Sequence, residues 1–131
     1  MPKLNTVHPE VKDYLLEGAD YWIREVGIDG WRLAVANEID HRFWREFRMR
    51  VKDAKPDAFI VGDVWSNGSR WLGGDQFDSV INYPFRSIAI AFLSGSGMDG
   101  QLFAGSINAR KFDFQVLSLH IKADKPEYYS T

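Results

Sequence analysis

Gly30-Trp31-Arg32-Leu33-Ala34-Val35-Ala36-Asn37-Glu38 is an apolar run broken by one arginine and closed by polar residues. A second run, Ala58-Phe59-Ile60-Val61-Gly62-Asp63-Val64-Trp65, has the same character and also ends on an acid and an indole. Ile28 to Ala36 reads as a strand, with Trp31, Leu33 and Val35 on one face and Arg32, Ala34 and Ala36 on the other. Ala58 to Val61 is short and continuously apolar, as expected of a strand covered on both faces.

The flanking segments carry helical period. From Pro9, apolar residues fall at Val11, Tyr14, Leu15, Ala19, Trp22, Ile23 and Val26, predicting a helix with one buried face that opens on Pro9 and stops at Gly27. Asp40 caps a second helix that buries Phe43, Trp44, Phe47 and Val51 and ends before Lys55-Pro56. Ser66 to Gly74 reads as a loop with one helical turn at Arg70 to Leu72. Phe77 to Asn82 reads as a third strand, and Pro84 opens a helix carrying Phe85, Ile88, Ala89 and Phe92. Strands alternating with helices place the chain in the α/β class with a parallel sheet. In parallel β/α folds the chemistry gathers at the C-terminal ends of the strands, where Arg32 to Glu38 and Asp63 to Trp65 lie.

Residues 1–93 carry this pattern, and residues 94–131 read as a flexible Ser94-Gly95-Ser96-Gly97 joint, a helix and a polar tail of the same domain. Ile107 to Ile121 is read as the helix through Phe112, Val116 and Leu119, although Phe112, Phe114 and Val116 also alternate as in a strand.

The 131 residues are enough for one core but about half of a typical (β/α)8 barrel of roughly 250 residues. A net charge of -2 offers nothing to nucleic acid or to an anionic membrane. With no cysteine there are no disulfides, thiolate nucleophiles or zinc-thiolate sites. No apolar run approaches the roughly 20 residues of a membrane span, and the N-terminal segment is polar, so a soluble cytoplasmic protein is expected.

Asp63 and Glu38, at neighbouring strand ends, are the residue types that glycosidic acid/base chemistry uses, though acids there also cap helices or line loops. Arg32 inside an apolar strand must meet a carboxylate or open onto a polar cavity, as a structural ion pair or a functional group. Trp65 and Trp71 flank the following loop, where an indole stacks on a sugar face, whereas Trp22 and Trp44 have core spacing. His8, His41 and His120 lack ligand spacing, so no metal site is expected, and His41 reads as a surface residue. Neither a phosphate loop nor a nucleophile elbow is present, and no cofactor is implied.

Taken together, Met1-Pro2-Lys3-Leu4-Asn5, GWRLAVANEIDHRFWREFR, IVGDVW and GDQFDSVINYPF resemble the neopullulanase, cyclomaltodextrinase and maltogenic amylase group of the α-amylase family (glycoside hydrolase family 13). The likeness is dense over residues 1–93 and fainter from Ile107 to His120. It implies a partial (β/α)8 TIM barrel, roughly strands four to six with flanking helices. It also implies retaining hydrolysis of cyclodextrin, pullulan or starch-type α-glucans. By position, Arg32 matches the arginine that orients the nucleophile, Ala34 takes the place of the aspartate nucleophile and Asp63 that of the glutamate acid/base. Asn37, Glu38, Trp65 and Trp71 fall in the substrate-binding stretch.

Two departures then matter. Alanine cannot form a glycosyl-enzyme intermediate. Aspartate for glutamate withdraws the carboxyl by about one C–C bond, roughly 1.5 Å, where about 1 Å of misplacement costs on the order of a hundredfold. The expectation is an inactive glycosidase fragment that binds α-glucan oligosaccharides weakly at most. The alternative is a decayed or designed barrel piece that self-associates through exposed sheet edges without catalysis.

Overall fold

The computed structural model describes residues 3–95 and 97–109. In chain order the elements are helix α1 (Pro9–Tyr21) continued by a π turn (Trp22–Val26), strand β1 (Gly30–Leu33) and a 3-10 turn (Ala36–Glu38). Helix α2 (His41–Ala54), strand β2 (Phe59–Gly62), a second 3-10 turn (Ser69–Trp71) and strand β3 (Ser79–Val80) follow, and helices α3 (Tyr83–Leu93) and α4 (Gly100–Ala109) complete it. The strands form one parallel sheet in the order β1-β2-β3. Trp31 is in register with Ile60, Arg32 with Val61, and Val61 with Ser79.

Local signals built the helices as read. Pro9 opens α1, and Gly27 stands left-handed just beyond it at φ 76°. Asp40 caps α2 by accepting from the Arg42 amide at 2.7 Å. The buried residues of α2 are Phe43, Trp44, Phe47 and Val51, and the helix ends at Ala54. Asn82 caps α3 through the Phe85 amide at 2.9 Å. The core gathers Leu16 and Ala19 of α1, Ile23 of the π turn, the apolar face of α2, Ile60, and Trp71, Leu72 and Phe77 from the segment joining β2 to β3. Trp44 edges against Phe77 at 5.2 Å and donates its indole N–H to the Ala36 carbonyl at 2.9 Å.

One buried carboxylate holds β3 in place. Asp78 accepts from Arg48 at 2.7 Å, from Lys52 at 3.0 Å and from the Ile60 amide at 2.8 Å. It thereby joins α2, β2 and the start of a strand only two residues long.

Several expectations are corrected. The strand expected over Ile28 to Ala36 stops at Leu33, because Val35 turns left-handed at φ 51° and Ala36 enters a 3-10 turn, which also buries Ala36 out of the expected alternation. β2 is covered on one face only: Ile60 is buried while Phe59 is exposed, since no further layer lies over that side among the described residues. Trp22, expected in the core, is exposed, as are Tyr14 and Val26. α1 has two apolar sides, and the one that meets α2 is Leu16, Ala19 and Ile23. The third strand is Ser79–Val80 alone, and α3 buries none of its residues. Phe92 instead stacks on Phe103 of α4, with ring centroids 4.5 Å apart. α4 was not anticipated, and the helix read over Ile107 to Ile121 lies outside the described residues beyond position 109. No helix among the described residues is long and apolar enough to cross a membrane.

Candidate active site

The C-terminal ends of β1 and β2 and the start of α3 converge on Asp63. Register places Arg32 beside Val61, and one alternation further along β2 brings Asp63 to the same face. The backbone carries the pairing past the regular ladder, with the Asp63 amide donating to Leu33 at 2.8 Å and the Ala36 amide donating to Asp63 at 3.0 Å. These bonds fix where the carboxyl stands.

Both oxygens of that carboxyl are engaged. Arg32 Nη2 donates to Oδ2 at 2.7 Å, and the Tyr83 hydroxyl donates to Oδ1 at 2.7 Å. The pair is asymmetric: the Asp63 side chain is 8% exposed and Arg32 66%, so the guanidinium faces open space while the acid is enclosed. The hydrogen bond to Asp63, together with burial, holds the Tyr83 phenol above its usual pKa of 10.0, so it stays a neutral donor. The Arg32 partner required by the sequence is therefore the acid on the neighbouring strand.

Ala34 stands exposed just past β1, next to Val35 in its left-handed conformation. A β-branched residue with positive φ is strained, and such strain collects at functional sites. Glu38 does not join Asp63 in a carboxylate pair; it meets Lys3 Nζ at 2.5 Å on the surface. Asn37 is exposed beside it. The two indoles of the loop separate. Trp65 is 65% exposed, whereas Trp71 is 8% exposed, packed in the core with the His41 ring 5.0 Å away. Trp71 thus offers no free face to a ligand. His41, expected on the surface, is half-buried, with Nδ1 2.6 Å from Gln76 Oε1. Among the described residues no group of three or more His, Asp or Glu could hold a metal ion.

Sequence reasoning missed Tyr83. Its signal was its position, directly after the Asn82 cap and before Pro84, where the third strand turns into a helix.

Arg32 and Asp63 thus meet where two parallel strands end, and known proteins give the chain its kinship. The family model described as "Alpha amylase, catalytic domain" matches residues 1–124. The chain belongs to the alpha-amylase family. A cyclomaltodextrinase from Bacillus sp is 61% identical over 104 residues, which is 79% of this chain and 19% of that protein. Neopullulanase 2 from Thermoactinomyces vulgaris is 54% identical over 116 residues, 88% of this chain and 18% of that protein. A solved cyclomaltodextrinase superposes with a TM-score of 0.81 at 56% identity, covering 86% of this chain and 19% of that one. The chain thus spans about a fifth of the length of the relatives it matches. It is a partial barrel of the alpha-amylase type, with three parallel strands and their flanking helices.

Proposed function

We propose that this alpha-amylase family chain is a glycosidase fragment that does not hydrolyse α-glucans. Retaining hydrolysis needs a carboxylate that attacks the anomeric carbon and a second carboxyl that gives its proton to the leaving oxygen. By position the attacking group is Ala34, whose methyl can form no glycosyl-enzyme bond. The observation that carries the reading is the anchoring of Asp63: Arg32 donates to one oxygen and Tyr83 to the other, which ties this shorter carboxyl to β1 and α3. Asp63 acts as a tie between β1, β2 and α3.

The test is release of reducing ends from cyclodextrin, pullulan and starch by the chain, by Ala34→Asp and by the double variant Ala34→Asp/Asp63→Glu. We expect release at the buffer rate from the unaltered chain. Turnover above that rate overturns the reading. Activity recovered in the double variant assigns the loss to these two positions, and its absence there shows that hydrolysis also needs barrel elements outside these 131 residues.

Trp65 supports a second, weaker role. An indole this exposed, two residues past Asp63, is a platform on which a sugar ring stacks. Isothermal titration with maltooligosaccharides should then give heat that Trp65→Ala removes, and no heat from the unaltered chain excludes binding.

A further inference from the structure

Asn67 is the one asparagine of this chain that glycine follows. It stands exposed in the loop after β2, and its Oδ1 accepts from the Ser69 amide at 2.9 Å. That bond closes a turn in which the asparagine side chain stands in for main chain. The Gly68 nitrogen is a member of the ring so closed, which keeps it beside the Asn67 side-chain carbonyl. No acceptor among the described residues takes the Gly68 N–H.

This turn favours attack by that nitrogen on the side chain before it. Glycine carries no Cβ to crowd the approach. The Ser69 N–H already points at Oδ1, the oxygen that takes up negative charge when the carbonyl is attacked, and a donor fixed in advance on such an oxygen lowers the barrier. Asn5 supplies the contrast. Its Oδ1 accepts from the Val7 amide at 3.2 Å in a turn of the same kind, but the β-branched Thr6 follows it. Asp29-Gly30 and Asp99-Gly100 have the glycine without the amide, and a carboxylate resists attack. Packing also retains Gly68, since a Cβ there would lie 2.5 Å from Val80 Cγ2.

We propose that Asn67 is a self-modification site, at which the chain converts its own side-chain amide to a carboxylate. The Gly68 nitrogen bonds to Asn67 Cγ, the Cγ–Nδ2 bond breaks, and the proton of Gly68 leaves with Nδ2 as ammonia. One water then opens the cyclic imide. Breaking the bond to Cγ gives aspartate, and breaking the bond to the main-chain carbonyl carbon gives isoaspartate. Nothing is oxidised or reduced, and water is the sole co-reactant. Either product places a negative charge four residues after Asp63. The isoaspartyl form also adds one main-chain carbon directly before Gly68, where the chain is packed against Val80.

Incubating the whole chain in mildly alkaline buffer, both folded and in urea, and then weighing its tryptic peptides tests this. The peptide spanning residues 53–70 (Pro56 shields Lys55 from trypsin) holds no other asparagine and no glutamine. It should gain the mass of an amide-to-acid exchange and split into aspartyl and isoaspartyl forms, with one ammonia released per chain. The folded chain should react no more slowly than the chain in urea, because the Ser69 donor is in place only in the fold. The peptide carrying Asn5 should keep its mass over the same time. Asn67→Ser retains an acceptor for the Ser69 amide but has no amide to lose, so its ammonia release should vanish. The proposal is overturned by an unchanged mass for residues 53–70, or by a folded chain that reacts more slowly than the unfolded one. Modification of Asn5 in step with Asn67, or undiminished ammonia from Asn67→Ser, also overturns it.

Discussion

Asp78→Ala should unfold this chain more readily than any single change at the candidate site, although Asp78 touches none of the strand-end residues. The substitution removes the shared acceptor of Arg48, Lys52 and the Ile60 amide, at 2.7, 3.0 and 2.8 Å. Removing one partner of a buried ion pair costs about 3–5 kcal/mol, because the remaining charge is left uncompensated. Arg48 and Lys52 keep 17% and 21% of their side chains exposed, and Lys52 also donates to the Ala58 carbonyl at 2.8 Å. Water therefore recovers part of the loss, and the lower end, about 3 kcal/mol, applies. For a domain of about 100 residues, that lowers the melting temperature by roughly 12–24 °C. The same bonds set the pH dependence. Burial works to raise the Asp78 pKa, but Arg48, the Ile60 amide and Lys52 together hold it below the usual carboxylate value. A depressed folded pKa means that the contribution is present in full above the unfolded value, about 3.9, and is lost as pH falls through the folded value. Urea unfolding followed by tryptophan fluorescence at neutral pH and in acid should show a gap between parent and variant that narrows in acid, with unchanged m values. Asp78→Asn should fall between the two. A loss under about 1 kcal/mol at neutral pH, the size of an exposed ion pair, would refute the reasoning.

Tyr83→Phe should remove one tyrosinate titration step above pH 10.0 and lower stability measurably in urea unfolding. The Tyr83 pKa is raised, so the hydrogen bond contributes below the unfolded value and is lost as pH climbs through the folded one; an ultraviolet titration identical to the parent's would contradict the contact. Gly62→Ala places a methyl into the Phe77 ring and should cost about 1–3 kcal/mol, read by thermal melting, with stability equal to the parent's counting against the close packing of β2 on Phe77. Asp40→Ala should destabilise by about 1 kcal/mol through loss of the α2 cap, measured by urea unfolding.

Helices α1, α2 and α3 were legible because their determinants are local. Pro9, Gly27, Asp40 and Pro84 act on the few residues beside them, and the buried set of α2 follows from a single apolar stripe. α1 was misassigned because it has two such stripes, and only the position of α2 decides which is buried. The left-handed Val35 that ends β1 leaves no trace in composition, since a β-branched residue is the last type expected there. Trp65 and Trp71 look alike in sequence and part in the structure, one on the surface and one packed with His41.

By itself, the sequence determined the α/β class, the Asp40 cap and the family, because these are properties of residue type and short spacing. Only the tertiary structure decided what Asp63 does. Its partners come from two other segments, Arg32 at a separation of 31 residues and Tyr83 at 20, and parallel pairing alone brings them to one strand end. The uncovered face of α1 was settled in the same way, since burial depends on what the rest of the chain places against a helix rather than on the helix itself.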